Sequence, residues 1–174
     1  MQNKLKYILD IGSSSLRLLA VGEFAGKSRI LAEESILYDG YLDGEFLTVD
    51  ELDETLAQLI DKMVAKMRKP IHSIIVGVPS DFCVCVCKRI SRKFTTAHKI
   101  SNAEIYELYQ KNATFGDSEE YQVINFSAMQ YVLDDGLVTL SAVGKKSSSL
   151  TMDASYVLAK QTFLSLMQEK LNQA

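Results

Sequence analysis

The chain has 174 residues, of which 47% are apolar and 24% are charged, and its formal net charge is −3. This length and composition predict a globular protein with one good hydrophobic core or two small ones. The negative charge argues against a dedicated nucleic-acid-binding protein, because such proteins gain most of their affinity by neutralising phosphates with Lys and Arg. No apolar run approaches the roughly 20 residues of a membrane-spanning helix, and the amino-terminal residues lack the features of a signal peptide. We therefore expect a cytoplasmic protein whose three cysteines stay reduced.

The first elements expected along the chain are three strands. Apolar runs at Tyr7–Ile11 and Leu16–Val21 predict adjacent strands joined by a serine-rich turn, and Ser28–Ser35 predicts a third strand. Because the links between them are short, the three strands should form an antiparallel meander. A glycine-containing loop at residues 40–44 follows.

The clearest helix is expected at Leu47–Lys69, where apolar residues recur at helical spacing. Thr48 and Glu51 have the spacing of a capping box at its start, and Pro70 ends it. The apolar run Ser73–Val78 then predicts a buried strand.

The second half of the chain predicts strands around one short helix. An alternating strand is expected at Phe82–Ile90, and Ser101 with Glu104 predicts a capped helix that reaches about Asn112. The remaining expected elements are three extended segments and a closing helix, at Tyr121–Leu133, Leu137–Val143, Leu150–Ala159 and Lys160–Asn172. A turn at residues 134–136 joins the first two of these segments.

Three cysteines, Cys83, Cys85 and Cys87, alternate along the expected strand and therefore share one of its faces, about 6–7 Å apart. A single zinc ion with bonds of about 2.3 Å cannot bind three sulfurs spaced in this way without breaking the strand. We expect the three thiols to pack as small buried apolar groups.

A basic cluster follows the cysteines and contains Lys88, Arg89, Arg92 and Lys93. Such a run is typical of a solvated strand end, and it also suits an acidic segment of a partner protein. The sequence leaves both interpretations open.

The candidate binding site is the turn DIGSSS at residues 10–15. Gly12 allows close approach to the backbone, and successive N–H groups in a tight turn form a concave site for an anion. The hydroxyls of Ser13, Ser14 and Ser15 add donors, and Asp10 is placed to bind a hydrated Mg²⁺ ion that neutralises phosphates. The alternative is a polar hairpin tip with a solvated aspartate.

Several stretches carry a resemblance to known families. Asp10–Ser13, placed between two expected strands, resembles the first phosphate loop of the actin/Hsp70/sugar-kinase superfamily. Gly40–Gly44, the amphipathic helix after it and the sequence IHSIIVGVPS at residues 71–80 resemble the bacterial cell-division family FtsA. Residues 119–136 and 150–171 resemble later stretches of the same family.

The resemblance implies an α+β fold. It consists of the N-terminal part of an actin-like (ribonuclease H-like) mixed sheet with helices, and an inserted strand–helix–strand–strand module of the SHS2 type, called subdomain 1C in FtsA. Residues 1–80 and 154–174 would form the actin-like part, which corresponds to subdomain 1A, and residues 81–153 the inserted interaction module. Leu150–Ala159 would return to the first sheet. The end of the chain, directly after its last expected helix, is typical of a cut inside a larger protein.

The resemblance also implies a function, namely that of an ATP-binding cell-division adaptor that tethers division filaments to the membrane. Gly12, Ser13, Ser14 and Ser15 would bind nucleotide phosphates and Asp10 would hold Mg²⁺ through water, so the implied cofactors are ATP and Mg²⁺. The implied partners are a tubulin-like filament protein, later division proteins and further copies of the protein itself, with no nucleic acid. Membrane contact would be made by a C-terminal region, at the inner face of the cell membrane.

Two alternatives belong to the same superfamily. The pilus-assembly family PilM often has the same Asp-Ile-Gly-Ser-Ser-Ser turn and is the main alternative. A small-molecule kinase is less favoured, because no second acid suited to act as a base follows Asp10.

The sequence departs from the FtsA pattern at two places. Residues 141–147 keep only Gly144 of a glycine-containing loop, and Ser15 stands where a lysine often follows the phosphate turn. Because one phosphate loop supplies a minority of the nucleotide contacts, we expect the 174-residue chain alone to bind ATP weakly or not at all. We expect no enzyme activity from this chain by itself, and at most weak ATP hydrolysis by the full protein.

Overall fold

The computed structural model describes residues 5–115 and 120–173. The chain divides into two compact units: unit 1 comprises Met1–Phe82 and Phe163–Ala174, and unit 2 comprises Cys83–Thr162. The chain therefore re-enters the first unit at residue 163, and not at the expected residue 154. The combination of sheets and helices in the described residues confirms the predicted α+β class.

Unit 1 contains a four-stranded sheet, a small hairpin and helices. Its elements are β1 (Lys6–Ile11), β2 (Ser15–Phe24), β3 (Lys27–Leu37), β4 (Tyr41–Leu42), β5 (Glu45–Phe46), α1 (Val49–Met67), β6 (Ile74–Val76) and most of α3 (Gln161–Gln173). The strand order is β3-β2-β1-β6, in which β1, β2 and β3 form the predicted antiparallel meander and β6 pairs parallel to β1.

The core of unit 1 lies on the face of this sheet that carries Leu9 and Leu18. Helix α1 contributes Leu56 and Leu59 to this core, and α3 contributes Phe163. The expected burial of the strand at residues 73–78 is wrong in part, because the side chain of Ile75 is 53% exposed. The reason is that Ile75 pairs with Ile8, on the face of the sheet opposite the core, whereas Ile74 and Val76 pack against the core.

The predicted capping box at the start of α1 is not formed. Thr48 makes no side-chain hydrogen bond to the helix, and its hydroxyl donates instead to the carboxylate of Asp39 at 3.3 Å. The carboxylate of Glu51 accepts the backbone N–H of Asp39 at 2.9 Å. Both residues of the expected box therefore tie the helix start to the segment that precedes the hairpin.

Unit 2 is built on a second four-stranded sheet. Its elements are β7 (Cys83–Lys99), α2 (Asn102–Lys111), β8 (Tyr121–Leu133), β9 (Val138–Thr139) and β10 (Lys146–Lys160). The strand order is β7-β10-β8-β9. Strand β8 matches the predicted Tyr121–Leu133, whereas the predicted pairing over Leu137–Val143 is limited to the two residues of β9.

Strand β10 is the central strand of unit 2, so the expectation that Leu150–Ala159 returns to the first sheet is wrong. This strand pairs antiparallel with β7 on one side and with β8 on the other. Leu150, Met152 and Tyr156 on its alternate positions are fully buried, together with Ile105 and Leu108 of α2. These buried side chains are covered because β10 lies between β7 and β8 and packs against α2.

The cysteines lie on the face of this sheet opposite α2. Cys85 and Cys87 are exposed and Cys83 is half-buried, so the expectation that they pack as buried apolar groups is wrong. Their neighbours on β10 are the short side chains of Ser155 and Val157, and the Cys85 sulfur lies 3.1 Å from the hydroxyl of Ser155. Helix α2 covers the other face, where Ile90 of β7 is buried and Val86 and Phe94 are partly buried.

Helix α2 begins with the predicted capping box. The hydroxyl of Ser101 accepts the Glu104 N–H at 3.2 Å, and the Glu104 carboxylate accepts the Ser101 N–H at 2.9 Å. The same carboxylate lies 2.7 Å from Nε2 of His98, whose Nδ1 lies 3.1 Å from the Thr96 carbonyl oxygen. Because both ring nitrogens face acceptors, the geometry favours the doubly protonated imidazolium.

We expect the pKa of His98 to lie above 6.5, raised first by the hydrogen bond to the Thr96 carbonyl and then by that to Glu104. Because the pKa is higher in the folded state, protonated His98 adds to the free energy of unfolding. This contribution is fully present below pH 6.5 and is lost as the pH rises through the folded-state pKa. Titration of the imidazole proton signals by NMR measures the shift. Glu104→Gln should lower the His98 pKa part of the way, whereas Glu120→Gln, with the same charge change, should leave it unchanged. An unchanged pKa in Glu104→Gln would contradict the assigned pairing.

Candidate functional site

The serine-rich turn between β1 and β2 is closed by its own backbone. The Gly12 N–H donates to the Ser15 carbonyl oxygen at 2.9 Å. This N–H group is therefore already hydrogen-bonded within the turn and is not a donor for a bound anion. The side chains of Ser13 and Ser14 at the tip are exposed. Their backbone N–H groups have no acceptor in the part of the chain that the structure describes, so these two donors are available to an anion.

The segment at residues 38–40 holds this turn in place. The Tyr38 N–H donates to the Ser14 carbonyl at 3.2 Å, and the Tyr38 hydroxyl donates to the Gly12 carbonyl at 2.8 Å. Burial raises the pKa of Tyr38 well above its usual value, with smaller contributions from Tyr41 and Glu51, so the phenol stays a donor at any physiological pH. The turn is thus bonded to a neighbouring segment at two of its carbonyl groups.

Gly40 also supports the turn, because its backbone lies close to the Ser13 carbonyl. Its φ is +88°, and a Cβ atom built at this position would overlap the carbonyl oxygen of Ser13. Only glycine meets both conditions, because a side chain is strained at this φ and has no space beside the turn. The glycine-containing loop noted in the sequence is therefore packed against the candidate site.

The parallel pairing of β1 with β6 places the carboxyl ends of these two strands at the same edge of the sheet. The Gly77 N–H donates to the Leu9 carbonyl at 2.8 Å and extends the pairing past the end of β6. Asp10 is the last residue but one of β1, and the 3₁₀ turn Ser80–Phe82 follows β6 in the chain. Ligands in sheets of this kind bind at the carboxyl ends of parallel strands. The pKa of Tyr41 is raised first by burial and then by the negative charges of Asp81 and Asp10.

Asp81 was not among the candidate site residues in the sequence, and its negative charge acts on Tyr41 together with that of Asp10. The expectation that no second acid suited to act as a base follows Asp10 stays a prediction. The sequence signal for Asp81 was a strand directly after helix α1, because a helical crossover favours parallel pairing, here of β6 with β1, and hence a shared carboxyl edge. A turn aspartate after such a strand is a candidate site residue.

The surroundings of the turn differ from a complete phosphate site in two respects. Arg17, the first cation after the turn, forms an ion pair with Glu33 at 3.3 Å. Within residues 5–115 and 120–173, no group of three or more His, Cys, Asp and Glu side chains is arranged to hold a metal ion by itself. Asp10 nonetheless suits Mg²⁺, because this ion is commonly held by one or two carboxylates together with waters and substrate phosphates.

None of the helices among the described residues combines the length and apolar character needed to cross a membrane.

Comparison with known proteins gives structural likenesses but no match to a family profile or to a curated sequence. A chain of the solved PilM-PilN type IV pilus biogenesis complex is similar in structure, with a TM-score of 0.55 and 13% sequence identity, over 96% of this chain. The chain spans only 44% of that chain's length. The likeness supports an actin-like fold for this chain and does not single out the cell-division family.

Proposed function

We propose that this chain forms part of an actin-like ATP-binding adaptor protein, in which unit 1 binds nucleotide phosphates and unit 2, as a module of the SHS2 type, binds partner proteins. The observation that carries the proposal is the turn Gly12–Ser15. It is held by Tyr38 and Gly40, presents two N–H groups that have no acceptor among the described residues, and lies beside Asp10.

The chemistry of the proposed phosphate site follows from its donors. The N–H groups and hydroxyls of Ser13 and Ser14 would donate to phosphate oxygens, as backbone donors do in anion-binding turns. Asp10 would hold a hydrated Mg²⁺ ion. When bound, the ion neutralises phosphate charge. Because Gly12 donates within the turn and Arg17 is paired with Glu33, few contacts remain and weak binding is expected.

Pilus assembly is the favoured setting for the proposed adaptor. The structural neighbour belongs to a type IV pilus biogenesis complex, whereas the cell-division setting rests on sequence resemblance alone. By analogy, unit 2 would bind other pilus-assembly proteins, and ATP with Mg²⁺ would be the cofactors of the full protein. Attachment to division filaments and the inner face of the membrane is the second setting.

Titration of Mg-ATP into the 174-residue chain, followed by ¹⁵N NMR, tests the phosphate site. We expect shifts of the Ser13 and Ser14 amides with a dissociation constant of about 1 mM, since weak contacts of this number give only about −4 kcal/mol. Adenosine should produce no such shifts. Asp10→Asn should abolish the Mg²⁺ dependence, whereas Asp43→Asn, the same charge change at a turn in the same unit, should preserve it.

Two results would count against the proposal. Shifts located away from residues 10–15 would place nucleotide elsewhere or show non-specific binding. Low-micromolar affinity by calorimetry would contradict the expectation that this turn supplies only a minority of the contacts.

A further inference from the structure

Strand β7 leaves a long edge of unit 2 without a partner strand. It has 17 residues and pairs only with β10 in the part of the chain that the structure describes. An unpaired edge of this length presents a row of backbone donors and acceptors, which is a template for an added strand.

Part of the second half of β7 is also unpaired on the side that faces β10. Lys93 pairs with Ser149 and His98 pairs with Ser147, so residues 94–97 face the single residue Ser148 and have no ladder partner there. An open groove of about 320 Å³ is lined by residues 92–96, His98 and Glu104. This stretch therefore has unpaired backbone within a groove, next to polar and cationic side chains.

Phe94 supplies an apolar surface in this groove. Its ring lies 4.6 Å from the His98 ring in an edge-on arrangement, and the Arg92 guanidinium lies 5.3 Å from its centroid. The ring is thus fixed between two groups that favour its orientation. An incoming strand would meet an aromatic contact as well as backbone groups.

All the Lys, Arg, Asp and Glu side chains of β7 are cationic. Cys83–Lys99 contains five Lys and Arg residues and no acidic residue. Three of the five have partners: Lys88 donates to the carbonyls of Asn112 and Thr114, Arg89 pairs with Asp153, and Arg92 pairs with Glu107.

The other two cations of β7 have no acidic partner in the part of the chain that the structure describes. Lys93 and Lys99 are exposed and form no ion pair among the described residues. Glu104, the acid of the groove, is already bonded to Ser101 and His98. The groove therefore presents cations to an occupant.

From these observations we infer that residues 88–99 of β7 bind an extended acidic segment of a partner protein as an added β-strand. A second copy of β7 is disfavoured, because like charges opposite each other on paired strands are destabilising. An acidic strand pairs its backbone with the open edge and its carboxylates with Lys93 and Lys99. This inference rests on the proposed partner-binding role of unit 2 and names the chemistry of the partner.

The test uses a fluorescein-labelled hexapeptide of alternating Glu and Val with blocked ends, titrated into the 174-residue chain and followed by fluorescence anisotropy. We expect saturable binding, with ¹⁵N NMR shifts concentrated on the amides of residues 88–99. A peptide with Lys in place of Glu should not bind, and a peptide N-methylated at alternate residues should bind about tenfold more weakly, because it cannot complete the backbone ladder.

Charge variants give the matched control. Lys93→Glu and Lys99→Glu should each weaken binding of the Glu-Val peptide by about fivefold to tenfold. Lys62→Glu, on an exposed position of α1 and with the same charge change, should change it by less than about twofold.

Four outcomes would overturn the inference: no saturable binding, equal loss in Lys62→Glu, unaltered binding of the N-methylated peptide, or displacement of the peptide by a single-stranded oligonucleotide at equal concentration. Mg-ATP added to the same sample reports separately on the phosphate turn through the Ser13 and Ser14 amides. Loss of peptide binding with intact nucleotide shifts would therefore reject the edge site alone, and the reverse result would reject the nucleotide role alone.

Discussion

Gly40→Ala is expected to destabilise unit 1 by roughly 3 kcal/mol or more. The positive φ of +88° costs an alanine about 1–2 kcal/mol, and the added Cβ also overlaps the Ser13 carbonyl, so backbone must move. The Tyr38 hydrogen bonds to the same turn then lose their geometry. Urea unfolding followed through the amide signals of β1 and β2 measures the loss, and the Mg-ATP shifts of Ser13 and Ser14 should disappear with it.

Gly26→Ala is the matched control. Gly26 lies between β2 and β3 with a φ of +74°, and no described atom lies within 4 Å of a Cβ built there. Alanine there should cost only the backbone strain, about 1 kcal/mol. Equal losses in the two variants would mean that the close approach of Gly40 to the turn is not what requires a glycine.

Tyr156→Ala is expected to destabilise unit 2 by about 4 kcal/mol, which is typical of removing a large aromatic residue from a core. The side chain of Tyr156 is 0% exposed. Its ring lies 5.2 Å from that of Phe115 and 6.0 Å from that of Tyr109. Truncation therefore leaves a cavity beneath α2, on the central strand of the sheet. Urea unfolding followed through the amide signals of β8 and β10 measures the change.

Tyr156→Phe separates the ring from the hydroxyl. The hydroxyl donates to the Tyr109 carbonyl at 3.1 Å, and a buried neutral hydrogen bond of this kind contributes about 1 kcal/mol. The phenylalanine variant should thus lose about a quarter of what the alanine variant loses. A phenylalanine variant as unstable as the alanine variant would show that the hydrogen bond, and not the packing, dominates at this position.

Elements with a complete local pattern could be predicted from the sequence. The meander of β1, β2 and β3, the bounds of β8 and the capping box of α2 match their expectations. Each depends on residues close in the chain: alternating apolar positions, short turns, or a serine and a glutamate three residues apart. Hydrogen bonds and burial patterns over such distances need no knowledge of distant partners.

The α1 cap shows how a local pattern fails. Thr48 and Glu51 have the right spacing, but both side chains bond to Asp39, nine and twelve residues away. A competing donor or acceptor that the fold brings close can replace the local one at little cost, because a surface hydrogen bond contributes only about 1 kcal/mol.

The candidate site also has one part that could be predicted from the sequence and one part that could not. Its serine turn and Asp10 were visible in the sequence, because they are consecutive residues between two apolar runs. The contacts of Tyr38 and Gly40 with the turn were not visible in the sequence, nor was the effect of the Asp81 and Asp10 charges on Tyr41. The residues involved are distant in the chain: the Tyr38 hydroxyl and the Gly12 carbonyl are 26 positions apart. These contacts with the turn exist because β3 ends beside it.

The sequence by itself determined the α+β class, the order of most elements and the identity of the serine-rich turn, since local hydrogen bonding and apolar periodicity decide these. Only the tertiary structure decided that β10 completes the second sheet, that the cysteines face outward and that Tyr38 and Gly40 contact the serine-rich turn. The physical reason is that the residues of a strand do not by themselves specify which other strands will pair with it. The face that becomes buried, and the loop that comes near, depend on which distant segments pair with it.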